Sequence, residues 1–555
     1  MLNLAPWLVF VVLLVAQRAI DALAFRHLAL PQRCYHRDVI LLGVLGRPIA
    51  AAIAAGLVLA PLGWTLAAWL GSTPPPPAWA SLDPSGWLRV PFLAAIGVVA
   101  WSLVGQARNH YYGRWHALDR LAILVSCAAC VATPAAAPLA LVCSLAFVMQ
   151  LNYPHGLYHS WTEKRPVYEA VVLLAAAACL GPLVRVEGWM LIAGLGVGLA
   201  TAYVYPAASK LTLGRPWTWA LHNRMEALTV SSAHKGWMWW WTVERVARMV
   251  RPLAALRVPM QIATLALELG AIALLLDPDA GVVALVGLVA MHAGIFAASG
   301  VAFWKWVILD VALIAALWFA PSEALAPAYA LPVIAAGLAA VTLARWCGTV
   351  LPLGWIDGPL VGTFVLEATT RAGESRLVAP LTMRPYDLAF GQARFHCLID
   401  EPQIAGAYGI LCAPLDAPRI DRLLRQTAGD AEAIARLAHE HGRSRRDDRT
   451  AQALERGIAQ YFRNRNRLLT RGGWRARLAR LPLTPPHLWM GARGRWLRSR
   501  DQVDSIEVRW TEIWHADGSV KPIADRHVCS IDVDADQAEG HPRHERAAAP
   551  LAPAA

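Results

Sequence analysis

Long apolar stretches dominate residues 1–350 of this 555-residue chain. The chain is 57% hydrophobic and only 16% charged, a balance that excludes an ordinary soluble enzyme of this length. With roughly 17–25 apolar residues taken as one span, the sequence predicts an all-α polytopic membrane bundle of about nine to eleven transmembrane helices, plus interfacial helices. The predicted spans are 4–23, 39–70, 90–105, 118–132, 136–152, 168–184, 188–207, 258–276, 281–298, 301–320 and 326–347.

The rest of the chain has a different composition. Residues 351–540 carry most of the Arg, Asp and Glu, so we place a boundary near Pro352 between a transmembrane domain at 1–350 and a smaller soluble domain. Two β-hairpins are predicted there, TFVLEATT with RLVAPLTM around RAGES, and IEVRWTEIW with SVKPI around HADG. Helical apolar spacing at 418–470 completes an α+β domain, and residues 541–555 are expected to be disordered.

Basic residues orient the predicted bundle, because short cytoplasmic loops are enriched in Lys and Arg. The connections after spans one, three, five and seven are basic, whereas the intervening ones hold only Arg89 and Arg185. This alternation predicts a multi-pass protein of the cell inner membrane with its C-terminal domain in the cytoplasm. The N-terminal stretch lacks a basic n-region and a cleavage site, so we expect it to be retained as a span. The basic residues are Arg26, Arg33, Arg37, Arg108, Arg114, Arg120, Lys164, Arg165 and those of 208–257.

Two further stretches are strongly basic. Residues 208–257 combine a run of tryptophans at 237–241 with arginines at 245, 248 and 251, a pattern that predicts helices lying in the membrane plane over the bundle. Residues 443–500 are dense in arginine. We expect them to face anionic lipids at the cytoplasmic surface. Nucleic-acid binding is the alternative, and no nucleic acid is expected as a partner.

Nine cysteines without paired spacing argue against a disulfide framework. Cys127 and Cys130 form a CxxC inside an apolar span. We interpret them as small residues that pack between helices, and a redox or metal role is the alternative.

Ionisable side chains inside membrane spans are costly, so each one is a functional candidate. The candidates are Lys210, Glu268, His292, Lys305 and Asp310. An amine, a carboxylate and an imidazole form a proton-transfer site if the helices bring them together. The alternatives are a Lys210 that snorkels to the headgroups and a His292 that is a satisfied structural residue. Lys305 and Asp310 are five residues apart, which is not the spacing of a helical ion pair.

Two histidines follow the fifth span in LNYPHGLYHSWTEKRP. His155 and His159 have the i, i+4 spacing of helical metal ligands, but Pro154 and Gly156 disfavour a continuous helix. We therefore interpret this stretch as an interfacial loop with hydrogen-bonding histidines.

Three stretches of the bundle resemble one known family. YVYPAASKLTLGRPW, LALELGAIALLL and MHAGIFAASGVAFWKWVIL, in this order, are similar to the transmembrane domain shared by vitamin K-dependent gamma-carboxylase and its bacterial relatives, the HTTM (horizontally transferred transmembrane) family. The similarity covers most of 100–320. It implies a membrane enzyme in which a lysine is the amine base in oxygen- and hydroquinone-dependent carboxylation of glutamate.

The resemblance implies catalytic roles for four residues of this chain. Lys210 occupies the place of the lysine, Glu268 and His292 match the acidic and histidine positions, and His155 matches a family histidine upstream of the lysine. The implied cofactor is a reduced quinone such as vitamin K hydroquinone, and the implied substrate is a protein or peptide. Ala208 departs from the pattern, since the family favours glycine there.

Three functions are compatible with the sequence. The first is an HTTM-type membrane enzyme that uses Lys210 as a base, the second is a non-catalytic scaffold or lipid-binding protein, and the third is a small-molecule transporter. A transporter is indicated by an internal repeat with matched broken helices, and the sequence has no convincing repeat. The direction in which Lys210 points separates the first two functions.

Overall fold

The structure is a computed structural model. It describes residues 4–23, 48–71, 79–82, 85–105, 116–152, 165–346, 354–383, 394–406, 409, 416–444, 446–471, 473 and 485–534.

Every predicted span contains a helix. The helices of the N-terminal part are α1 (Pro6–Leu23), α2 (Pro48–Trp69), α3 (Trp79–Leu82), α4 (Val90–Gly105), α5 (His116–Ala132), α6 (Ala137–Asn152), α7 (Arg165–Leu180), α8 (Gly188–Leu211), α9 (Thr218–His222), α10 (Met225–His234), α11 (Val243–Val250), α12 (Arg257–Gly270), α13 (Pro278–Ser299), α14 (Trp304–Phe319), α15 (Ser322–Leu325) and α16 (Leu331–Leu343).

Several of these helices support a multi-pass membrane protein. Within the described residues, five helical stretches are long and apolar enough to cross a membrane, and the bent pair Trp304–Phe319 with Ser322–Tyr329 would make a sixth. The other predicted spans hold helices of 13 to 17 residues. At 1.5 Å per residue these reach about 20–26 Å, less than a hydrocarbon core of about 30 Å. The larger count of nine to eleven spans therefore stays a prediction.

α7 and α8 lie at the centre of the bundle. The side chains of residues 165–178 are all buried, and 83% of the most apolar window of α8 is buried inside the protein. Glycines in α8 let α7 approach closely, because a Cβ on Gly198 would lie 2.7 Å from the Glu169 carboxylate. Residues near the C-terminal end of α8 are thereby held against other helices of the bundle.

The C-terminal part confirms both predicted hairpins. The strands are β1 (Leu360–Thr370), β2 (Ser375–Leu377), β3 (Val503–Ala516) and β4 (Ser519–Asp532). β1 pairs with β2, and β3 pairs with β4 through Asp517 and Gly518, which both have positive φ as a tight hairpin turn requires. A long β1–β3 pairing joins the hairpins into one antiparallel sheet of order β2-β1-β3-β4.

Three helices accompany this sheet, which confirms the helical prediction for 418–470. The longest packs on it, since its Ile458 and Phe462 belong to the same core as Val508 and Trp510 of β3. The helices are α17 (Ala417–Gln426), α18 (Ala431–His441) and α19 (Asp448–Arg471).

Residues 208–257 form short helices between the bundle and the sheet. Val230 of α10 and Val246 of α11 share a small core with Val520 of β4. In the tryptophan run, Trp239 contacts Trp496 with ring centroids 5.3 Å apart, while Trp240 is exposed. The short helices agree with the sequence, but part of the run packs on the C-terminal segment, which the sequence analysis did not predict. Whether these helices lie in a membrane plane stays a prediction.

Candidate active site

Lys210 points into the protein. Its Nζ lies 2.6 Å from Oε1 and 2.8 Å from Oε2 of Glu268, so the ammonium bridges both carboxylate oxygens. Both side chains are buried, with 5% and 7% of their surface exposed. The alternative in which Lys210 snorkels to the headgroups is therefore wrong for this structure.

Neighbouring elements hold the Lys210–Glu268 pair in place. The last turn of α8 carries Lys210, and α12 carries Glu268. The Lys210 amine also lies 5.4 Å from the ring of Trp219 on α9, within the range of a cation–π contact. Two helical turns before Glu268, Gln261 donates a hydrogen bond to the backbone oxygen of Asn223 and fixes α12 against the segment after α9.

A second polar cluster surrounds Tyr203. Its hydroxyl donates to Oδ2 of Asp310 at 2.7 Å and lies 2.9 Å from Nε2 of His292. Because a tyrosine hydroxyl has one proton, Nε2 of His292 must then carry the hydrogen of the second contact. With His292 neutral, its Nδ1 is left as an acceptor. The three groups form one hydrogen-bonded chain, in which a proton taken up at Nδ1 of His292 can be passed on from Nε2 through the hydroxyl to the carboxylate and leave the imidazole neutral.

Aromatic rings enclose His292. Its ring centroid lies 4.9 Å from that of Phe303 and 5.8 Å from that of Trp306. His487 of the C-terminal segment packs on the other side of Phe303, with centroids 5.2 Å apart, and its backbone oxygen accepts from the amide of Ala302. The C-terminal part of the chain therefore borders this cluster.

The two clusters share one face of α8 without being in direct contact. Tyr203 and Lys210 are seven residues apart, or two helical turns and about 10 Å along the axis. The structure thus brings Lys210 to Glu268 and His292 to Asp310, and it does not pair Lys210 with His292. Tyr203 was missed by the sequence analysis, although its spacing from Lys210 was a usable signal.

Other candidates from the sequence have different positions. His155 and His159 lie outside the residues that the structure describes. Lys305 is buried with its amine 4.9 Å from the Trp304 ring. Cys127 and Cys130 are buried free thiols, as the packing interpretation predicts. Among the described residues no group of three or more His, Cys, Asp or Glu is arranged to hold a metal.

A buried ionic cluster near the start of α7 was not predicted. Arg165 donates to Oδ2 of Asp21 at 2.8 Å and to Oε1 of Glu169 at 2.7 Å, and Arg18 lies 3.5 Å from the same Glu169 oxygen. From its sequence Arg165 is predicted to lie in one of the basic connections that orient the bundle. That assignment is wrong, because Arg165 begins α7 and is buried.

Hydrogen bonds connect the Lys210 pair to the C-terminal part. Trp219 donates to the backbone oxygen of Trp355 at 2.9 Å. The Asp357 carboxylate accepts from the indole of Trp355 and from the amide of Asn223, both at 3.2 Å. Burial raises the pKa of Asp357 to about 7, against the opposing effects of these hydrogen bonds and of the Lys235 charge. Asp357 therefore titrates near neutral pH in the folded protein.

We expect Asp357→Asn to flatten the pH dependence of stability. The raised pKa means that the folded state holds a proton between pH 3.8 and about 7 that the unfolded state has released. Wild-type stability relative to the variant should therefore fall as pH rises from 4 to 7, by up to about 4 kcal/mol, and level off above 7. Thermal unfolding in detergent from pH 4 to 9 measures this difference. Parallel curves for the two proteins would contradict it.

Comparisons of this chain with protein-family models, with curated proteins and with solved structures give no match. The resemblance to the HTTM domain therefore rests on the residues quoted for it and stays a prediction.

Proposed function

We propose that this protein is a carboxylase-like, quinone-linked membrane enzyme in which Lys210 is the base. The observation that carries the proposal is the inward direction of Lys210, whose amine contacts the buried carboxylate of Glu268. A lysine that faced the headgroups would have no role in catalysis, so this geometry favours the enzyme over a scaffold. The substrate class is a protein or peptide side chain with an acidic carbon–hydrogen bond.

Glu268 gives Lys210 a means of losing its proton. In the low dielectric of the protein interior, burial raises the free energy of both the ammonium and the carboxylate. The free-energy difference between the charged pair and the neutral pair, amine plus carboxylic acid, is therefore smaller than in water. Transfer of one proton over the 2.6 Å contact leaves Lys210 with a free electron pair. The amine can then accept a proton from a substrate while Glu268 holds the first proton.

The cluster around His292 fits a reduced quinone. Within the part of the chain that is described, the buried atoms Nδ1 of His292 and Oδ1 of Asp310 have no hydrogen-bond partner. In the arrangement derived above both atoms are acceptors, and they match the hydroxyl groups of a quinol better than the carbonyl groups of a quinone. The rings of Phe303 and Trp306 supply apolar surface for the quinol ring. When bound, a reduced quinone supplies the electrons for oxygen-dependent chemistry.

A binding experiment tests the quinone site. Addition of vitamin K hydroquinone under anaerobic conditions should quench the tryptophan fluorescence of the full-length protein purified in detergent. We expect His292→Gln to weaken binding about tenfold or more by loss of a direct polar contact, and Tyr203→Phe to weaken it by a similar factor by loss of the hydrogen bonds that orient His292 and Asp310. Tyr205→Phe is the matched control, because Tyr205 lies on the same helix and bonds the backbone of α16 instead. Equal binding by all four proteins, or no binding by the wild type, would refute the site.

An activity experiment tests the role of Lys210. Membranes that contain the protein are supplied with vitamin K hydroquinone, oxygen and labelled bicarbonate, and label in the protein fraction is counted. We expect incorporation with the wild type and a loss of at least about 100-fold with Lys210→Met, whose quinol binding stays intact because Lys210 lies two turns away from Tyr203. No incorporation by the wild type would exclude this reaction class.

A further inference from the structure

A cleft rich in arginine lies between α10, α11 and the tip of the β3–β4 hairpin, away from the Lys210 and His292 clusters. Its volume is about 60 Å³, enough for about four water-sized groups. The hairpin contributes residues 515–519. Four arginines line the cleft against two carboxylates, those of Glu226 and Asp517, so its lining has an excess of two positive charges. The four arginines are Arg224, Arg251, Arg257 and Arg425.

Two of the arginines form no ion pair with any of the described residues. Arg257 pairs with Glu226, and Arg425 pairs with Asp421. By contrast, Arg224 and Arg251 make no ion pair or side-chain hydrogen bond within the described ranges. The pKa of Arg224 is lowered by burial and by the neighbouring charges of Arg425 and Arg257, against the opposing effects of Asp421 and Glu226. Both of these carboxylates are already paired with another arginine, so a further anion in the cleft would stabilise the half-buried Arg224 guanidinium.

His515 adds a buried donor to the same cleft. The side chain is 6% exposed, and its Nε2 has no hydrogen-bond partner in the portion of the chain described. Burial, together with the charges of Arg425 and Arg224, lowers the pKa of His515 to about 3. The imidazole is therefore neutral at physiological pH, and in the tautomer with its hydrogen on Nε2 it has one N–H to donate. Unpaired guanidinium groups beside a buried N–H donor are the chemistry that recognises a phosphate.

The surface beside the cleft is apolar. Arg251 and Arg257 stand at the two ends of a 3₁₀ turn that spans Arg251–Leu256, and the side chains of Leu253 and Leu256 on this turn are exposed. A soluble phosphate would leave this apolar surface uncovered. Acyl chains attached to a phosphate would cover it.

We propose that this cleft binds the phosphate group of an anionic phospholipid, with Arg224, Arg251 and His515 as direct ligands and Leu253 and Leu256 against the acyl chains. Arg257 and Arg425 stay in their ion pairs and add to the positive potential. The proposal is independent of the function assigned to Lys210. It gives the C-terminal domain a lipid-dependent attachment, since a ligand in the cleft joins α10 and α11 to the β3–β4 hairpin.

Binding of defined lipids to the full-length protein in detergent tests the site. Dioctanoyl phosphatidic acid should bind at least about tenfold more tightly than dioctanoyl phosphatidylcholine, and added NaCl should weaken it. Arg224→Gln and Arg251→Gln should each weaken phosphatidic acid binding about tenfold, by loss of a charge-assisted hydrogen bond. Arg422→Gln is the matched control, because Arg422 is exposed on α17 outside the cleft, and its binding should stay within about twofold of wild type.

Thermal unfolding separates this role from a structural one. Without lipid, Arg224→Gln should melt at or above the wild-type temperature, because the variant removes an unpaired, desolvated charge. With phosphatidic acid, the wild type should gain stability and the variant should gain much less. Equal binding of the two lipids, or wild-type affinity in both cleft variants, would overturn the proposal. Protection by inorganic phosphate as strong as that by phosphatidic acid would also overturn it, in favour of a soluble ligand.

Discussion

Lys210→Met is expected to lower the free energy of unfolding by about 3–5 kcal/mol, the range found when one partner of a buried ion pair is removed. The reason is the environment of Glu268, which is 7% exposed and accepts from the Lys210 amine at 2.6 and 2.8 Å. Methionine fills a similar volume, so the loss comes from the carboxylate left without its cation and not from a cavity.

The double variant Lys210→Met, Glu268→Gln should recover most of this loss. With both charges gone, no ion remains to be solvated, and replacement of a buried pair by neutral side chains of similar size is often close to neutral in stability. The coupling energy from the four proteins of this cycle should therefore be large, at about 2–3 kcal/mol. Thermal or denaturant unfolding of the full-length protein in one detergent measures it.

Lys521→Met is the control for a lysine at the surface, whose amine lies 5.4 Å from the ring of Trp514. Its amine donates to the backbone oxygen of Ala428 at the surface, so the change should cost less than about 1 kcal/mol. Additive effects of the Lys210 and Glu268 substitutions would contradict a buried, coupled pair. The double variant also separates the two leading functions, because an enzyme that folds without Lys210 loses its activity and a scaffold keeps its role.

The sequence predicted the helices of this protein well, because helix position is a local property. Each apolar run is bounded by charged or turn-forming residues. Apart from the predicted start of 39–70, which lies outside the described residues, those boundaries fall within a few residues of the observed ends. The same holds for the hairpin turn at Asp517 and Gly518, whose type is determined by residues that tolerate positive φ.

Contacts between segments that are distant in sequence were harder to predict. The direction of Lys210 depends on Glu268, 58 residues away, and on the ring of Trp219. A lysine at the end of an apolar helix has the same local pattern whether it turns inward or outward, so no local rule decides between the two. The pairing of β1 with β3 likewise joins segments more than 130 residues apart. The sequence of neither strand indicates which strand it pairs with.

Buried ionic residues caused the clearest error. From the sequence Arg165 belongs to a predicted basic connection, yet its partners Asp21 and Glu169 place it inside the bundle. Glu169 is four residues beyond Arg165, a spacing that permits a helical ion pair and could have shown the link. Asp21 lies 144 residues earlier and could not be paired with it from one sequence.

Arg165→Met should destabilise the protein more than Lys210→Met does. It leaves two carboxylates, Asp21 and Glu169, buried, and among the described residues only Arg18 remains as a cation beside them, at 3.5 Å from Glu169. We expect a loss of about 5 kcal/mol or more in the free energy of unfolding, since two anions lose their cation at once. Arg165→Lys should lose less stability, because lysine keeps the positive charge. Some loss should remain, because lysine cannot donate to two carboxylates in the directions that the guanidinium does.

Arg185→Met is the control for Arg165→Met, because it removes an arginine from an exposed ion pair. Arg185 also pairs with a glutamate, Glu187, at 3.5 Å, but its side chain is 81% exposed, so the change should cost less than about 1 kcal/mol. If Arg165→Met is destabilised by burial of unpaired anions, adding Asp21→Asn and Glu169→Gln must restore stability, since neutral amides need no cation. Failure of that restoration would assign the loss to packing around Arg165. Its success would show that two acidic side chains are kept charged inside the bundle by one arginine.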